Sequence, residues 1–300
     1  MSRIVVAGLY TFETSLRIEG FPLPYYPVCF PFDGVTSAHA GVGLNVSVAL
    51  ARLGHSPRLA SLIGTDEAGA RLRNAMPGFG LDPRWLVDSA SATSQSVILV
   101  APDGSRQIHC DLKSLQSQIH PAERVSELFD GAELAVICNI GFARPLLDEA
   151  RQRHVPIATD VHVLADFDDA YNRDFMAAAD ILFLSDERLP CSPQDAVGAL
   201  RSRFDPRILV IGLGANGALL SERGQQPIHV PAVAPRGVVN TVGAGDALFS
   251  AFIDQYLRGL PAVHALRNAT HYAGIKISCS GATNGLLSAS EFASAIAAAD

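Results

Sequence analysis

The stretch NTVGAGDALFSAF, residues 240–252, decides how the rest of the chain is read. After Asp246, apolar residues recur in pairs: Leu248 and Phe249, Phe252 and Ile253, Tyr256 and Leu257. That spacing paints one face of a helix, and Gly259 supplies a C-terminal stop. The helix is therefore expected to open near Gly243. Its first turn carries N–H groups with no intrahelical acceptor, and the macrodipole adds roughly half a positive charge there. Gly243, Ala244 and Gly245 place almost no side chain in front of those donors, so the segment predicts an anion site, with phosphate the usual occupant. Asp246 stands beside it as a carboxylate able to take a proton from an alcohol. The same residues also suit an ordinary helix start, where Asp complements the dipole and Gly ends a loop. The segment alone leaves both readings open.

Composition narrows the choice. The chain has 300 residues, 48% hydrophobic and 18% charged, enough for a large α/β core with a small appendage. A net charge of −7 and the lack of any Lys/Arg run argue against nucleic acid as a partner. No apolar run approaches the roughly 18 residues of a membrane span, and MSRIVVAGLY enters a strand-like run without the pattern of a signal peptide. Cys29, Cys110, Cys138, Cys191 and Cys279 are scattered, with no C-x-x-C spacing, and read as reduced, mostly buried thiols of a cytoplasmic protein. The nine histidines show no metal-ligand spacing; His162, in TDVH, is expected near a strand end in a polar loop role.

Along the chain, apolar strand candidates at residues 4–7, 58–63, 134–138, 156–159, 181–184 and 208–211 alternate with helical patterns. The helices are expected at 44–53, 66–76 (capped by Thr65 or Asp66), 144–154, 167–178, 193–203, 262–279 and 290–298. Strand and helix at this spacing predict a doubly wound, mostly parallel sheet with helices on both faces, whose ligands sit beyond the carboxyl ends of the strands. Two regions interrupt the alternation. Residues 10–39 are rich in Pro and aromatics, and residues 94–111 read as two strands around a PDG turn. Together they predict a discontinuous β lid on a single α/β domain spanning 1–300.

GLGANG, residues 212–217, follows the strand RILVI and matches G-x-G-x-x-G. A dinucleotide turn would need a helix next. ALLS and PIHV around ERGQQ read as a hairpin instead, and no acidic residue follows at the ribose-binding distance, so a dehydrogenase is disfavoured. The chain also lacks G-x-x-x-x-G-K-[ST] and G-x-S-x-G, which argues against Walker-type nucleotidases and α/β-hydrolases.

NTVGAGDALF closely resembles the D-T-x-G-A-G-D-x-F signature of ribokinase-like carbohydrate kinases, the PfkB type, and AGVGLNVSVALARLG, residues 40–54, resembles that family's G-G-x-x-x-N helix opening. The two motifs stand in the family's order and the likeness covers nearly the whole chain. It implies an ATP-dependent kinase that phosphorylates a primary CH₂OH of a small sugar. Asp246 matches the general base, and the amides of Gly243, Ala244 and Gly245 match the anion hole. Asn45 matches the group that binds substrate hydroxyls, while Gly41 and Gly43 would let substrate approach the backbone. Glu13 stands near the family's first substrate carboxylate, and Asn139, at the end of strand LAVIC, is a further substrate-side candidate with a loop-stabilising role as the alternative. Gly212, Gly214, Gly217, Ser185 and Thr241 fall where the family meets the nucleotide. The resemblance also implies magnesium carried by the nucleotide phosphates, and a homodimer formed through the lid.

Departures from the pattern qualify these expectations. Asn240 replaces the usual Asp beside a loop that often holds a monovalent cation, which argues against potassium activation. A similar Asn and a G-G-V-G-x-N opening characterise pseudouridine kinases of the same superfamily, so a nucleoside is the alternative acceptor. In SDER, residues 185–188, Ser185 and Arg188 take the N-x-x-E positions and Glu187 is displaced by one, which puts the usual water-mediated magnesium contact in question. A catalytically weak ligand-binding homologue is the alternative of another class.

Overall fold

The computed structural model describes residues 1–299. Side-chain alternation along its first strand, β1 (Arg3–Ala7), divides the core in two. Ile4 and Val6 point to one face of the sheet and Val5 and Ala7 to the other, all four fully buried. The chain continues through β2 (Thr11–Arg17), β3 (Val35–Ala40), α1 (Val42–Arg52), β4 (Ser56–Gly64), α2 (Glu67–Ala75), β5 (Leu86–Ala90), β6 (Gln95–Val100) and β7 (Arg106–Asp111). It then runs through α3 (Ala122–Phe129), β8 (Leu134–Ile137), α4 (Pro145–Gln152), β9 (Ile157–Val163), α5 (Arg173–Ala178), β10 (Ile181–Ser185), α6 (Pro193–Arg203) and β11 (Ile208–Gly212). A hairpin of β12 (Ala218–Glu222) and β13 (Ile228–Val230) precedes α7 (Ala244–Leu257), α8 (Ala262–Lys276) and α9 (Ala289–Ala297).

Nine strands form one sheet in the order β13-β12-β11-β10-β9-β8-β1-β4-β5. All neighbours are parallel except β11–β12 and β12–β13. Residues of α1, α2, α7, α8 and α9 cover one face and residues of α3 to α6 the other, so strands such as ILVIG in β11 are apolar on both sides. Each fully buried Leu, Ile or Phe in these layers contributes roughly 1.5–3 kcal/mol. From β1 the chain moves outward to β4 and β5, then returns to β8 on the opposite side and moves outward again to β11. The carboxyl ends of β1 and β8 therefore flank a topological switch point, where an open parallel sheet leaves its crevice.

The second sheet has the order β3-β2-β6-β7 and draws its strands from the two regions that interrupt the sequence alternation. The ERGQQ segment is the expected turn between antiparallel strands, and no helix follows GLGANG. Four expectations need correction, the first being that the cysteines are mostly buried: Cys138 is buried, whereas Cys29, Cys110 and Cys191 are exposed. The helix expected at 167–178 is confined to Arg173–Ala178, because Asp166 and Asp169 accept hydrogen bonds from the amides of Asp168 and Tyr171 and fold 166–171 into turns. Helix α3 and strand β5 form where no element was expected; α3 is short and opens at Pro121, and only Val125, Leu128 and Phe129 of it are buried.

At the amino ends of the strands lies a buried polar network. Asp254 of α7 accepts from Arg258 Nε at 2.8 Å and from Gln255 Nε2 at 2.7 Å. His55 Nε2 lies 2.9 Å from its Oδ1 and donates to it, since His55 Nδ1 already accepts from the Ser2 amide. Burial alone would raise the Asp254 carboxyl, but the hydrogen bonds from His55, Gln255 and Arg258 hold it below the ordinary range. The network thus stabilises the fold above the ordinary Asp value of about 3.9. That contribution fades as pH falls through the lower folded value. Asp254→Ala leaves Arg258 and His55 without their shared acceptor, and urea unfolding at neutral pH is expected to show a loss of about 3–5 kcal/mol.

Candidate active site

Gly43 and Gly8 explain where α1 begins. A Cβ on Gly43 would stand 2.5 Å from the carbonyl carbon of Gly8, and one on Gly8 would meet Cys138 Sγ at 2.5 Å. Gly41, at φ +105°, lies against the Leu9 carbonyl, which would be 2.3 Å from its Cβ. The Leu44 amide donates to that same carbonyl at 3.4 Å. These glycines let α1 start directly on the end of β1, at the switch point. On the side where a Cβ would stand, the space at Gly41 and Gly43 is taken by the backbone of Gly8 and Leu9.

The consequence is the position of Asn45. Its Nδ2 donates to Asp246 Oδ2 at 2.7 Å, across 201 residues of sequence. Asn45 is 7% exposed, and its Oδ1 is buried without a partner among the described residues. Asp246 itself is half-buried in the first turn of α7; its Oδ1 meets no protein donor and is not sealed from solvent. Burial pushes the Asp246 carboxyl above the ordinary range; His162, the Asn45 hydrogen bond and Lys276 act against that rise, and Asp160 adds to it. The arrangement is an oriented carboxylate with one oxygen held and one open, in a setting that favours proton uptake.

Helix α7 opens as the sequence predicts, with Gly243 preceding it at φ +76°. The Ala244 amide turns back to the Thr241 carbonyl at 3.1 Å, whereas the amides of Gly243, Gly245 and Asp246 have no acceptor among the described residues. The open donors are thus Gly243, Gly245 and Asp246, with Ala244 engaged. No atom lies within 4 Å of where a Gly245 Cβ would be, so a ligand can approach that stretch of backbone. A wall of protein, Ala282, stands behind Gly243.

The other expected residues divide. Ser185 and Gly212 end neighbouring strands in register, and Asp186 N donates to the Gly212 carbonyl at 2.9 Å. Gly214 is exposed with open space around it, but Gly217 is buried, with the Val230 carbonyl 2.0 Å from a would-be Cβ; it serves the hairpin. Arg188 is exposed, and Ser185 Oγ accepts from the Glu187 amide at 3.2 Å. Asn139 donates through Nδ2 to Asn172 Oδ1 at 3.0 Å and to the Val161 carbonyl at 3.3 Å, which ties the ends of β8 and β9 together. Asn240 Oδ1 accepts from the Val242 amide at 2.7 Å and shapes the loop before α7.

Three features carried no expectation. Arg106, at the start of β7, donates to Thr241 Oγ1 at 3.0 Å and so joins the small sheet to the anion loop. Strand register places Arg106 and Arg17 on the same face as Glu13 and Ser15, and Arg106 acts on Glu13, whose carboxyl is pushed up by burial and drawn down by Ser15 and Arg106. The same face carries Thr36, Ala38 and Ser96 together with Ile98, Val100, Ile108 and Cys110. His162 lies next to the end of a strand, as expected, but within β9 and not in a polar loop. It stands at a bulge with φ +61°, and its charge bears on Asp246. Lys276, the last residue of α8, is fully buried.

Residues 1–289 match the model of the pfkB family carbohydrate kinases. The chain is 28% identical over 272 residues to the acarbose 7(IV)-phosphotransferase of Actinoplanes sp., covering 88% of each sequence. It is 27% identical over 276 residues to the ATP-dependent ribose-1-phosphate kinase of Halopiger xanaduensis, covering 86% of each. Among solved structures, a microbiome-derived acarbose kinase superimposes with a TM-score of 0.88 at 22% identity, over 99% of both chains. The Burkholderia thailandensis nucleoside kinase in complex with inosine gives 0.80 at 20% identity, over 99% of this chain and 98% of that one.

The glycine contact can be tested by itself. Gly43→Ala forces α1 away from β1 and is expected to destabilise the fold by about 1–3 kcal/mol, read as a lower urea midpoint at unchanged slope.

Proposed function

The chain belongs to the pfkB family of carbohydrate kinases, and from the geometry at the head of α7 we propose that it transfers a phosphoryl group from ATP to a primary CH₂OH of a small sugar. It is a carbohydrate or nucleoside kinase by descent; the acceptor and the residue roles are our reading. The observation that carries it is the Asn45–Asp246 pair set beside the unpartnered amides of Gly243, Gly245 and Asp246.

In this reading Asp246 Oδ1 accepts the proton of the substrate hydroxymethyl group as that oxygen attacks. Asn45 holds the other carboxylate oxygen, which fixes the plane of the base. The amides of Gly243, Gly245 and Asp246 face the transferred group and stabilise charge that grows on its oxygens, which is the larger part of what phosphoryl transfer asks of a protein. ATP, typically with magnesium in this family, supplies the transferable phosphoryl and its charge-neutralising cation. The residues fit such a group: open amides without side chains in front of them, and Ser185, Gly212 and Gly214 along the neighbouring strand ends. No group of three metal-ligating side chains gathers among the described residues, so magnesium would be held through the phosphates.

The four-stranded sheet serves as the lid. Arg106 latches it to Thr241, and closure keeps water from competing as acceptor. Glu13, Ser15, Thr36 and Ser96 give its inner face hydroxyl-binding groups and no aromatic ring on which a base would stack, which favours a sugar over a nucleoside.

Release of ADP against a panel of sugars and nucleosides tests the assignment, with sugars expected to turn over best. Asp246→Asn should lower kcat by about 10²–10⁴; turnover at the wild-type rate in that variant would remove Asp246 as the base. Because the base must be ionised and its carboxyl is raised by burial, kcat/KM should fall on the acid side. The midpoint is expected above the ordinary Asp value of about 3.9.

A further inference from the structure

Lys276 is 0% exposed, at the C-terminal end of an apolar helix. Its Nζ donates to the Val242 carbonyl, and no carboxylate lies within ion-pair distance of it among the described residues. Removing an ammonium from water with a single carbonyl acceptor is costly, and burial lowers it to about 8, with Asp246 and Cys279 acting to raise it and Arg106 to lower it further. A lysine kept buried on such terms is of use to its surroundings rather than to the core.

Its partner shows what that use is. In a trans peptide the carbonyl and the N–H of one plane point in opposite directions. The plane that carries the Val242 carbonyl also carries the Gly243 N–H, one of the open donors of the anion site. Holding the carbonyl against Lys276 turns that N–H outward, and a cation on the carbonyl strengthens the donor at the other end. The rest of the loop is fixed from the same helix end: the amides of Val239 and Asn240 both donate to the Ile277 carbonyl, at 2.8 and 3.0 Å. Gly243 is free to take the required φ of +76° because it lacks a side chain.

We propose that Lys276 is a positioning residue of the phosphoryl-transfer site, locking the Val242–Gly243 peptide with its amide toward the ligand and placing a fixed positive charge behind the anion hole. This rests on the kinase reading above. It assigns to the chain's own ammonium the work of organising the loop, on which Asn240 supplies no charge.

The experiment compares wild type with Lys276→Met, which keeps the volume and removes the charge, and with Lys276→Ala, which leaves a cavity. Three readouts are taken: kcat and acceptor KM, the affinities for the non-hydrolysable analogue AMP-PNP and for adenosine, and turnover of Lys276→Ala with added ethylammonium. The proposal expects Lys276→Met to remain folded and to lose about 10²–10³ in kcat, the cost of an oxyanion donor, with acceptor KM within about threefold. It expects AMP-PNP binding to weaken by about tenfold or more while adenosine binding holds, and ethylammonium to restore part of the Lys276→Ala rate. Near-wild-type kcat in Lys276→Met, or parallel loss of AMP-PNP and adenosine affinity, would overturn it. If wild type neither binds AMP-PNP nor releases ADP, the kinase reading fails first and the inference falls with it. Wild-type activity that disappears in Asp246→Asn but persists in Lys276→Met isolates the failure to Lys276.

Discussion

One hydrogen bond organises the molecule: Asn45 Nδ2 to Asp246 Oδ2, between the first turns of two helices that the chain builds 201 residues apart. It can form only if α1 and α7 start at the same point in space. The first is fixed by backbone contact with the end of β1, the second by the loop that Lys276 and the Ile277 carbonyl hold from behind. The nine-stranded sheet and its two apolar layers are the frame that lets these two starts meet at the switch point. At the opposite end of α7, Asp254 anchors the helix to His55 and to the chain's first residues through Ser2. That single helix is thus tied at its base to the core and at its tip to the site.

The charges around the tip are mixed rather than uniformly positive. Asp160 opposes Asp246, while His162 and Lys276 offset it, and Arg106, across the lid, acts on Lys276. A base that must be ionised yet must accept a proton is served by such a balance, since a purely cationic pocket would hold the carboxyl too low to act. The bulge at His162 in β9 is part of the same arrangement: it breaks the strand's register where an ordinary strand would carry the side chain elsewhere.

Much of this was written in local sequence. The strand cores are continuous apolar runs, and α6 was legible to its last residue because Ser192 caps it and Pro193 opens it. The glycines before Asp246 announced the helix start. What was not legible depended on contacts far apart in sequence. That Gly43 is packed against Gly8 could not be read from its own neighbourhood in sequence. The hydrogen bonds of Asn139 to Val161 and Asn172 likewise join segments far apart in sequence. Arg106 follows an unremarkable turn, and nothing near it points to Thr241. Lys276 did leave a trace: it falls on the buried stripe of α8 with Ala269, Tyr272 and Ile275, where a lysine is out of place.

The backbone contact between Gly8 and Gly43 has an evolutionary corollary. The contact between β1 and α1 near Asn45 is made mostly of main-chain atoms, with the Cys138 thiol beside it, so side-chain exchange offers little scope to retune its contour. A change of acceptor is more readily accommodated in the strands of the smaller sheet, where Glu13, Ser15, Thr36 and Ser96 present side chains rather than backbone.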